Sequence, residues 1–525
     1  MIEQKEKEDL QPATTMQRAQ HLLRSSIIVI FFFGLGKLTG LVRLQLIARQ
    51  FGTSPEYDAF TAANQLPEVF FTLIAGGALA AAFIPVYTNY LANETDKKAA
   101  QLANTILTLV ILILGGICLL GAIFAPWITE VVLVPDFAPE MQQLTAVLMR
   151  IILIQTVLFG ISGVFSSILN SHQHFALPAL APLALDIGYA VGLFLFVPSM
   201  GILGLAWGTV VGGVVHILIQ VPALIKYKIG YTPSLRWRMS GVREILVLMG
   251  PRIITLGAIQ IADLFIIRLA SGLPSGSTSG YFYGYALMQF PETLFGTAIA
   301  LVVFPTMSEL YNAGNVDGLK NTAVNALRII WTLTIPAGAL IVLLGFPLIS
   351  LLLEGEAFNE NSTRLVYSVL VVFSVRIFSE ATLEIVARLF YARHNTKTPM
   401  FAYLSWLVVN VLFSYLLVAQ YGVVGLALSS TIAFTWLAGL LYVLNRQALG
   451  ALGESLLGKT AVRAIVATLG MSIVLWIIGQ LITQHILFVL VGGGVSVIVY
   501  LSLNLLLGGR EIPDMINLIR KKPSS

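Results

Sequence analysis

Long apolar blocks separated by short polar stretches fill this chain from end to end. A helix crossing about 30 Å of hydrocarbon needs roughly 20 mainly apolar residues. On that ruler the sequence predicts fourteen spans, at 26–50, 57–91, 100–127, 143–170, 176–198, 202–225, 244–272, 278–311, 321–353, 363–392, 399–420, 422–445, 461–483 and 486–508. The blocks at 57–91 and 278–311 are overlong, and prolines interrupt them: Pro67 and Pro85 in one, Pro291 and Pro305 in the other. Proline removes a helical hydrogen bond and crowds the preceding turn, so both are expected to bend or partly unwind. Unwound backbone at membrane depth survives only beside protein or a wet cavity, so a cavity is expected next to them.

The blocks also repeat at a spacing of about 220 residues. Pro85 returns as Pro305, Pro178 as Pro399, and Gly201-Ile202-Leu203-Gly204-Leu205-Ala206 as Gly422-Val423-Val424-Gly425-Leu426-Ala427. Spans one to six thus match spans seven to twelve, and the last two have no counterpart. The expected fold is an all-α polytopic membrane protein: fourteen transmembrane helices in two pseudo-symmetric six-helix lobes, plus two C-terminal helices. The expected divisions are a cytoplasmic N-terminal segment 1–25, an N-lobe 26–225, a basic cytoplasmic linker 226–243, a C-lobe 244–447, a final helix pair 448–508 and a basic cytoplasmic tail 509–525. Such duplication is the build of transporters whose site lies between two lobes.

Composition confines the chain to a lipid solvent, with 57% hydrophobic residues, 11% charged and a mean hydropathy of +0.86. The first 24 residues are polar and read as a cytoplasmic lead-in, not a signal peptide. The single cysteine, Cys118, lies in an apolar run, so no internal disulfide or cysteine-cluster metal site is expected. Basic residues mark the inner face: Lys226, Lys228, Arg236, Arg238 and Arg243 after the sixth span, Arg393 and Lys397 after the tenth, and Arg520, Lys521 and Lys522 in the tail. Both termini are therefore expected inside. The net charge of +5 is mostly this bias and calls for no nucleic-acid partner.

Charges within spans carry the functional signal, because a lysine, arginine or aspartate at a helix centre costs roughly 2.5–3.5 kcal/mol. In the first span Lys37, Arg43 and Arg49 fall six residues apart and spiral round one broad side. Asp58, Gln65 and Glu68 follow in the second. One reading is a cationic cradle for an anionic substrate with Asp58 as a positioning partner; the other is that these cations reach the membrane surface. Arg252, Asp263 and Arg268 lie on the seventh span. Arg376, Glu380, Glu384 and Arg388 recur every four residues on the tenth, either as an ion-pair stripe or with Glu380 and Glu384 as protonatable coupling groups. His216 and Asp186 suit single interhelical hydrogen bonds. Gly34-Leu35-Gly36-Lys37 lacks the strand a nucleotide loop requires, Gly204-x3-Gly208-x3-Gly212 is a small-residue packing face, and the six histidines show no zinc spacing. Neither an ATPase nor any other enzyme is indicated, and no cofactor or metal is expected.

Gly40-Leu41-Val42-Arg43, Ile47-Ala48-Arg49-Gln50-Phe51-Gly52, Asp58-Ala59-Phe60, Gly77 to Pro85, Ile168-Leu169-Asn170, Pro178 to Pro182, Met249-Gly250-Pro251 and Phe390-Tyr391 through Pro399 together resemble the MurJ/MviN lipid II flippases of the multidrug/oligosaccharidyl-lipid/polysaccharide exporter superfamily. The resemblance runs over nearly the whole chain. It implies a two-lobed carrier that moves undecaprenyl-diphosphate-linked peptidoglycan precursor from the inner to the outer leaflet by alternating access. It also implies diphosphate-holding cations at Lys37 and Arg43, and the family's first-lobe aspartate at Asp58. The chain departs from the pattern where Phe71-Thr72 and Gly76 replace two arginines and a glutamate, and where Tyr285-Ala286 precedes Leu287-Met288-Gln289 in place of an Asp-Arg pair. Arg252 or Arg268 is the candidate replacement for that missing cation, with Gln289 alongside. In some relatives a sodium ion sits in the second lobe; Asn410 matches a ligand position there, but Ser414 stands where a carboxylate is wanted.

The implied partners are lipid II or a related polyprenyl-diphosphate glycolipid and membrane lipids, with cell-wall synthesis enzymes as further candidates. The implied location is the bacterial inner membrane. Three alternatives remain: a flippase for another polyprenyl-diphosphate glycan, an exporter of amphipathic drugs with the same fold, and a non-transporting membrane scaffold. The basic first span argues against the exporter. The cost of intramembrane charge argues against the scaffold.

Overall fold

The computed structural model describes residues 15–75, 77–511 and 513, and among these the chain is helical with no strand. The long helices are α1 (Thr15–Phe51), α2 (Pro55–Phe70), α3 (Gly77–Asn93), α4 (Asp96–Ile123), α5 (Pro139–Ser171), α6 (Leu183–Val191), α7 (Ile202–Lys226), α8 (Ser240–Ala270), α9 (Ser277–Glu292), α10 (Ala298–Asn312), α11 (Val316–Leu353), α12 (Glu360–Ala392), α13 (Lys397–Leu449), α14 (Glu454–Leu481) and α15 (Gly493–Leu506). Eleven helical runs among the described residues are long and apolar enough to cross a membrane. A helix meets, within its own segment, the demand that every backbone donor find a partner inside lipid. The expected segments 1–25 and 509–525 lie largely outside the described residues.

The chain forms two compact units, each from three stretches. The first comprises the described residues up to Arg43, Phe70–Gly121 and Ile151–Met249. Its tightest seam joins α6 to α7. A Cβ on Gly188 would stand 2.4 Å from the Gly212 Cα, and one on Gly208 would stand 2.7 Å from the Gly192 Cα. Only hydrogen fits there, so the helices touch backbone to backbone, as small residues allow in membranes. The second unit comprises Leu44–Val69, Ala122–Arg150 and the chain from Gly250 onward. Its largest core gathers Ala48, Tyr281, Tyr283, Phe358, Phe373 and Leu426 from α1, α9, α12 and α13 with the α11–α12 loop.

The internal repeat reappears as backbone geometry. Gly201 (φ 56°, ψ −138°) and Gly422 (φ 56°, ψ −134°) hold the same glycine-only conformation 221 residues apart, the second as a break inside α13. Gln173 (φ 57°) and His394 (φ 58°) share a left-handed turn at the same offset. The proline-broken blocks match as well. Among the described residues both blocks stay helical; Phe71–Ala75 and Thr293–Thr297 each widen into a π-helical turn, a few residues after Pro67 and Pro291. Widening lets the helix absorb the proline while its other carbonyls keep partners, which unwinding in lipid would forfeit.

Past the last span, Glu511 is clamped by Arg328 and Arg463, each at 2.7 Å, and accepts a 2.9 Å hydrogen bond from Thr460. Burial would raise its pKa, but a backbone hydrogen bond, Thr460 and the two guanidinium groups outweigh it and hold the carboxyl below its ordinary 4.5.

Two predictions follow from this geometry. Gly201→Ala meets open space, so its cost is backbone strain alone, about 1–3 kcal/mol in thermal unfolding, whereas the helical Gly494→Ala is neutral or slightly stabilising. Glu511→Gln leaves two guanidinium groups without their acid and lowers stability by about 3–5 kcal/mol at neutral pH. Because the folded pKa lies below the unfolded one, that contribution is present above about pH 4.5 and fades as pH falls through the folded value. Unfolding curves of variant and wild type are expected to converge in acid.

Candidate functional site

In the first unit, Thr39 and Arg43 are four residues apart on α1 and so share a face, and Asp186 and Tyr189 share one on α6. The two faces meet. The Arg43 Nη1 donates to Asp186 Oδ1 at 2.7 Å, Thr39 Oγ1 donates to Oδ2 of the same carboxylate at 2.5 Å, and the guanidinium lies 5.0 Å from the Tyr189 ring centroid. The pair is not sealed, since 31% of the Arg43 side chain stays accessible. Lys37 is half-buried on the same helix. Deeper in this unit Ser162, His216 and Gln220 form a buried hydrogen-bonded cluster, which uses His216 as a structural link between α5 and α7.

Asp58 is 3% exposed, and its two oxygens accept the backbone N–H groups of Gly276 at 2.6 Å and Ser279 at 2.7 Å. It therefore caps the N-terminus of α9, where unpaired donors and the helix dipole favour an anion. Gly276 (φ 90°) makes that turn possible by packing against Thr53. Gln65 is buried in α2, while Arg49 is exposed near the end of α1.

The second unit holds a cavity of about 180 Å³ whose lining includes Asp263 from α8, Tyr281 and Tyr285 from α9, Arg376, Glu380 and Glu384 from α12, and Tyr403, Trp406, Asn410 and Ser430 from α13. Arg376 is its centre. The guanidinium donates to Glu380 Oε2 and Ser430 Oγ, both at 2.8 Å, and stands 4.0 Å from the Phe434 ring, 5.0 Å from Tyr285 and 5.4 Å from Phe373. Gln289 donates at 3.0 Å to both Glu380 and the Tyr285 hydroxyl. One turn on, Arg388 pairs with Glu384.

The four-residue ladder on α12 is thus two internal ion pairs. Arg268, proposed above as a replacement cation, spends its donors on the carbonyls of Val131 and Val132, the latter at 3.1 Å. Arg252 is exposed. Neither lines the cavity; Arg376 does. Periodicity showed Arg376 but not its setting, because the aromatic cage and Ser430 come from helices distant in sequence. Glu292, not among the candidate residues above, is 2% exposed and accepts from Thr297 at 3.3 Å. Its sequence signals are a carboxylate inside the span 278–311 and its place beside Pro291.

The profile of the lipid II flippase MurJ family matches residues 47–494. A protein of Vibrio cholerae serotype O1 described as a probable lipid II flippase MurJ is 30% identical over 520 residues, covering 94% of this chain and 97% of its own. A Buchnera aphidicola protein with the same description is 31% identical over 427 residues, 80% and 83% of the two chains. Among solved structures, lipid II flippase MurJ in an inward closed conformation superposes with a TM-score of 0.78 at 22% identity, covering 93% of this chain and 100% of that one. An inward-facing multidrug-resistance MATE transporter of the MOP superfamily gives a TM-score of 0.67 at 16% identity, covering 80% and 96%.

The Arg43–Asp186 contact is testable by a double-mutant cycle. Arg43→Gln and Asp186→Asn singly are each expected to destabilise, and their effects to be less than additive by about 0.5–3 kcal/mol in thermal unfolding. Strict additivity would remove the pair as a structural link.

Proposed function

The chain belongs to the lipid II flippase MurJ family, and on that premise we propose that it carries lipid II from the inner to the outer leaflet of the bacterial inner membrane. The observation that carries this reading is a membrane protein with a family match spanning residues 47–494 and a half-open arginine in its first helix. The physical task supports it. A diphosphate cannot enter hydrocarbon unaided, whereas a polyprenyl tail has no reason to leave it. Cations inside the protein solve the first half of that problem and lateral access solves the second.

In this mechanism Lys37 and Arg43 receive the diphosphate. Arg43 exchanges Asp186 for the phosphate oxygens, so its charge is never left bare, and the carboxylate reclaims it when the cargo leaves. Asp58 acts as a positioning residue through the α9 cap. Arg49, Gln65, Arg252, Arg268 and Gln289 contribute contacts along the path, and Glu380 and Glu384, held by Arg376 and Arg388, contribute to coupling. The lobes 26–225 and 244–447 rock about a shared interface, and the helix pair of 448–508 stands outside the repeat. The break at Gly422 supports two spans within α13 and hence the count of fourteen. Both termini lie inside, following the basic residues of 226–243. The protein acts as a transporter and not as an enzyme, and cell-wall synthesis enzymes are its candidate protein partners.

One observation favours a related cargo. Phe71 and Thr72 open the first π-helical turn at positions where the family pattern places arginines, so fewer cations are available there. That suits a different polyprenyl-diphosphate glycan.

Complementation of a strain depleted of its lipid II flippase separates the two. Rescue by the wild type is expected. Lys37→Ala and Arg43→Ala are expected to abolish it at unchanged membrane abundance, since each charge-assisted bond to phosphate is worth about 1.5–3 kcal/mol, or roughly 10- to 100-fold in retention. Failure of the stably expressed wild type would favour the other glycan. Rescue by the doubly substituted protein would overturn the carrier mechanism.

A further inference from the structure

Some lipid II flippases that this chain resembles hold a sodium ion in the second lobe, and the donors in this chain can be tested against that ion. They do not fit it. The Ser414 hydroxyl, fully buried where a carboxylate is wanted, is bonded to Ser429 at 2.8 Å. The Ser430 hydroxyl already accepts from Arg376 at 2.8 Å. Glu380 is committed through both oxygens, one to Arg376 and one to Gln289. Asn410 is wholly buried and lines the cavity with both carboxamide atoms unbonded, which leaves a donor set of Asn410, Asp263 and Glu384, the last already paired with Arg388.

We propose that Arg376 is a tethered cation that fills the charge role of a diffusible monovalent ion in this cavity, so that the protein works without sodium. The guanidinium suits the place. It is planar and weakly hydrated, it has donors for Glu380 and Ser430 at once, and it presents its face to aromatic rings as an ammonium cannot. Phe434 at 4.0 Å and Tyr285 at 5.0 Å complete the cage. A metal ion arriving beside it would meet a like charge in a low-dielectric pocket, with the Glu380 and Ser430 oxygens already bonded to the guanidinium. Being covalently held, this cation does not dissociate during a cycle, and an inward sodium gradient cannot be read out through it.

The inference goes beyond lipid II transport, and its test reads cation binding, so it stands or falls separately from the cargo. Thermal unfolding of the purified full chain would be followed in sodium chloride and in choline chloride at equal ionic strength. Wild type is expected to show the same midpoint in both. Arg376→Ala and Arg376→Gln are expected to lose stability and to regain part of it, saturably, with sodium or with low, non-denaturing guanidinium; Arg376→Lys is expected to show no such response. A saturable sodium-dependent rise in the wild-type midpoint would overturn the proposal. So would folded Arg376→Ala and Arg376→Gln that respond to neither cation. Should both variants fail to fold, the wild-type comparison decides alone.

Discussion

A bilayer offers no water to a charge, and that constraint organises what is polar in this protein. A cation placed inside a span must bring an anion, a dipole or an aromatic face with it. Each arginine placed deep in the described helices obeys. Arg43 has Asp186, Thr39 and Tyr189; Arg376 has Glu380, Ser430 and an aromatic cage; Arg388 has Glu384. Asp58 obeys the same rule from the other sign, using two backbone donors in place of a cation. Partnership is therefore the resting condition of the site, and transport of an anion becomes an exchange of partners instead of the filling of a bare cradle.

The helices make that exchange possible by being stiff in some places and yielding in others. Glycines lock α6 onto α7 through direct backbone contact, so Asp186 is presented from a rigid wall. The π-helical turns after Pro67 and Pro291 relax the ladder where proline has already removed a bond. Gly201 and Gly422 place equal breaks in the two halves of the repeat. Duplication has thus preserved backbone devices more faithfully than side chains: 220 residues after Arg43, at the offset that joins Pro85 to Pro305, stands Asp263, a residue of opposite charge.

That asymmetry gives the two units different chemistry from one architecture. The first keeps a partly accessible arginine. The second keeps a cavity whose lining guanidinium is shared among a carboxylate, a hydroxyl and several rings. Charges that the family pattern places on α9 are absent, and the buried cation nearest to Tyr285 comes from α12 instead.

Block length, proline placement and the 220-residue repeat are local or one-dimensional properties, and the sequence by itself determined the membrane class, the helical fold and the family from them. The four-residue ladder on α12 was legible for the same reason, since its partners sit one turn apart on a single helix. Only the tertiary structure decided who meets whom across helices. Asp186 lies 143 residues from Arg43, Ser430 54 residues from Arg376, and Gly276 218 residues from Asp58. No periodicity encodes such distances, because the pairing depends on which faces of which helices pack together. The same packing turned Arg268 toward backbone carbonyls and set Arg376 in the cavity, a choice of direction that a lone residue in a sequence cannot carry.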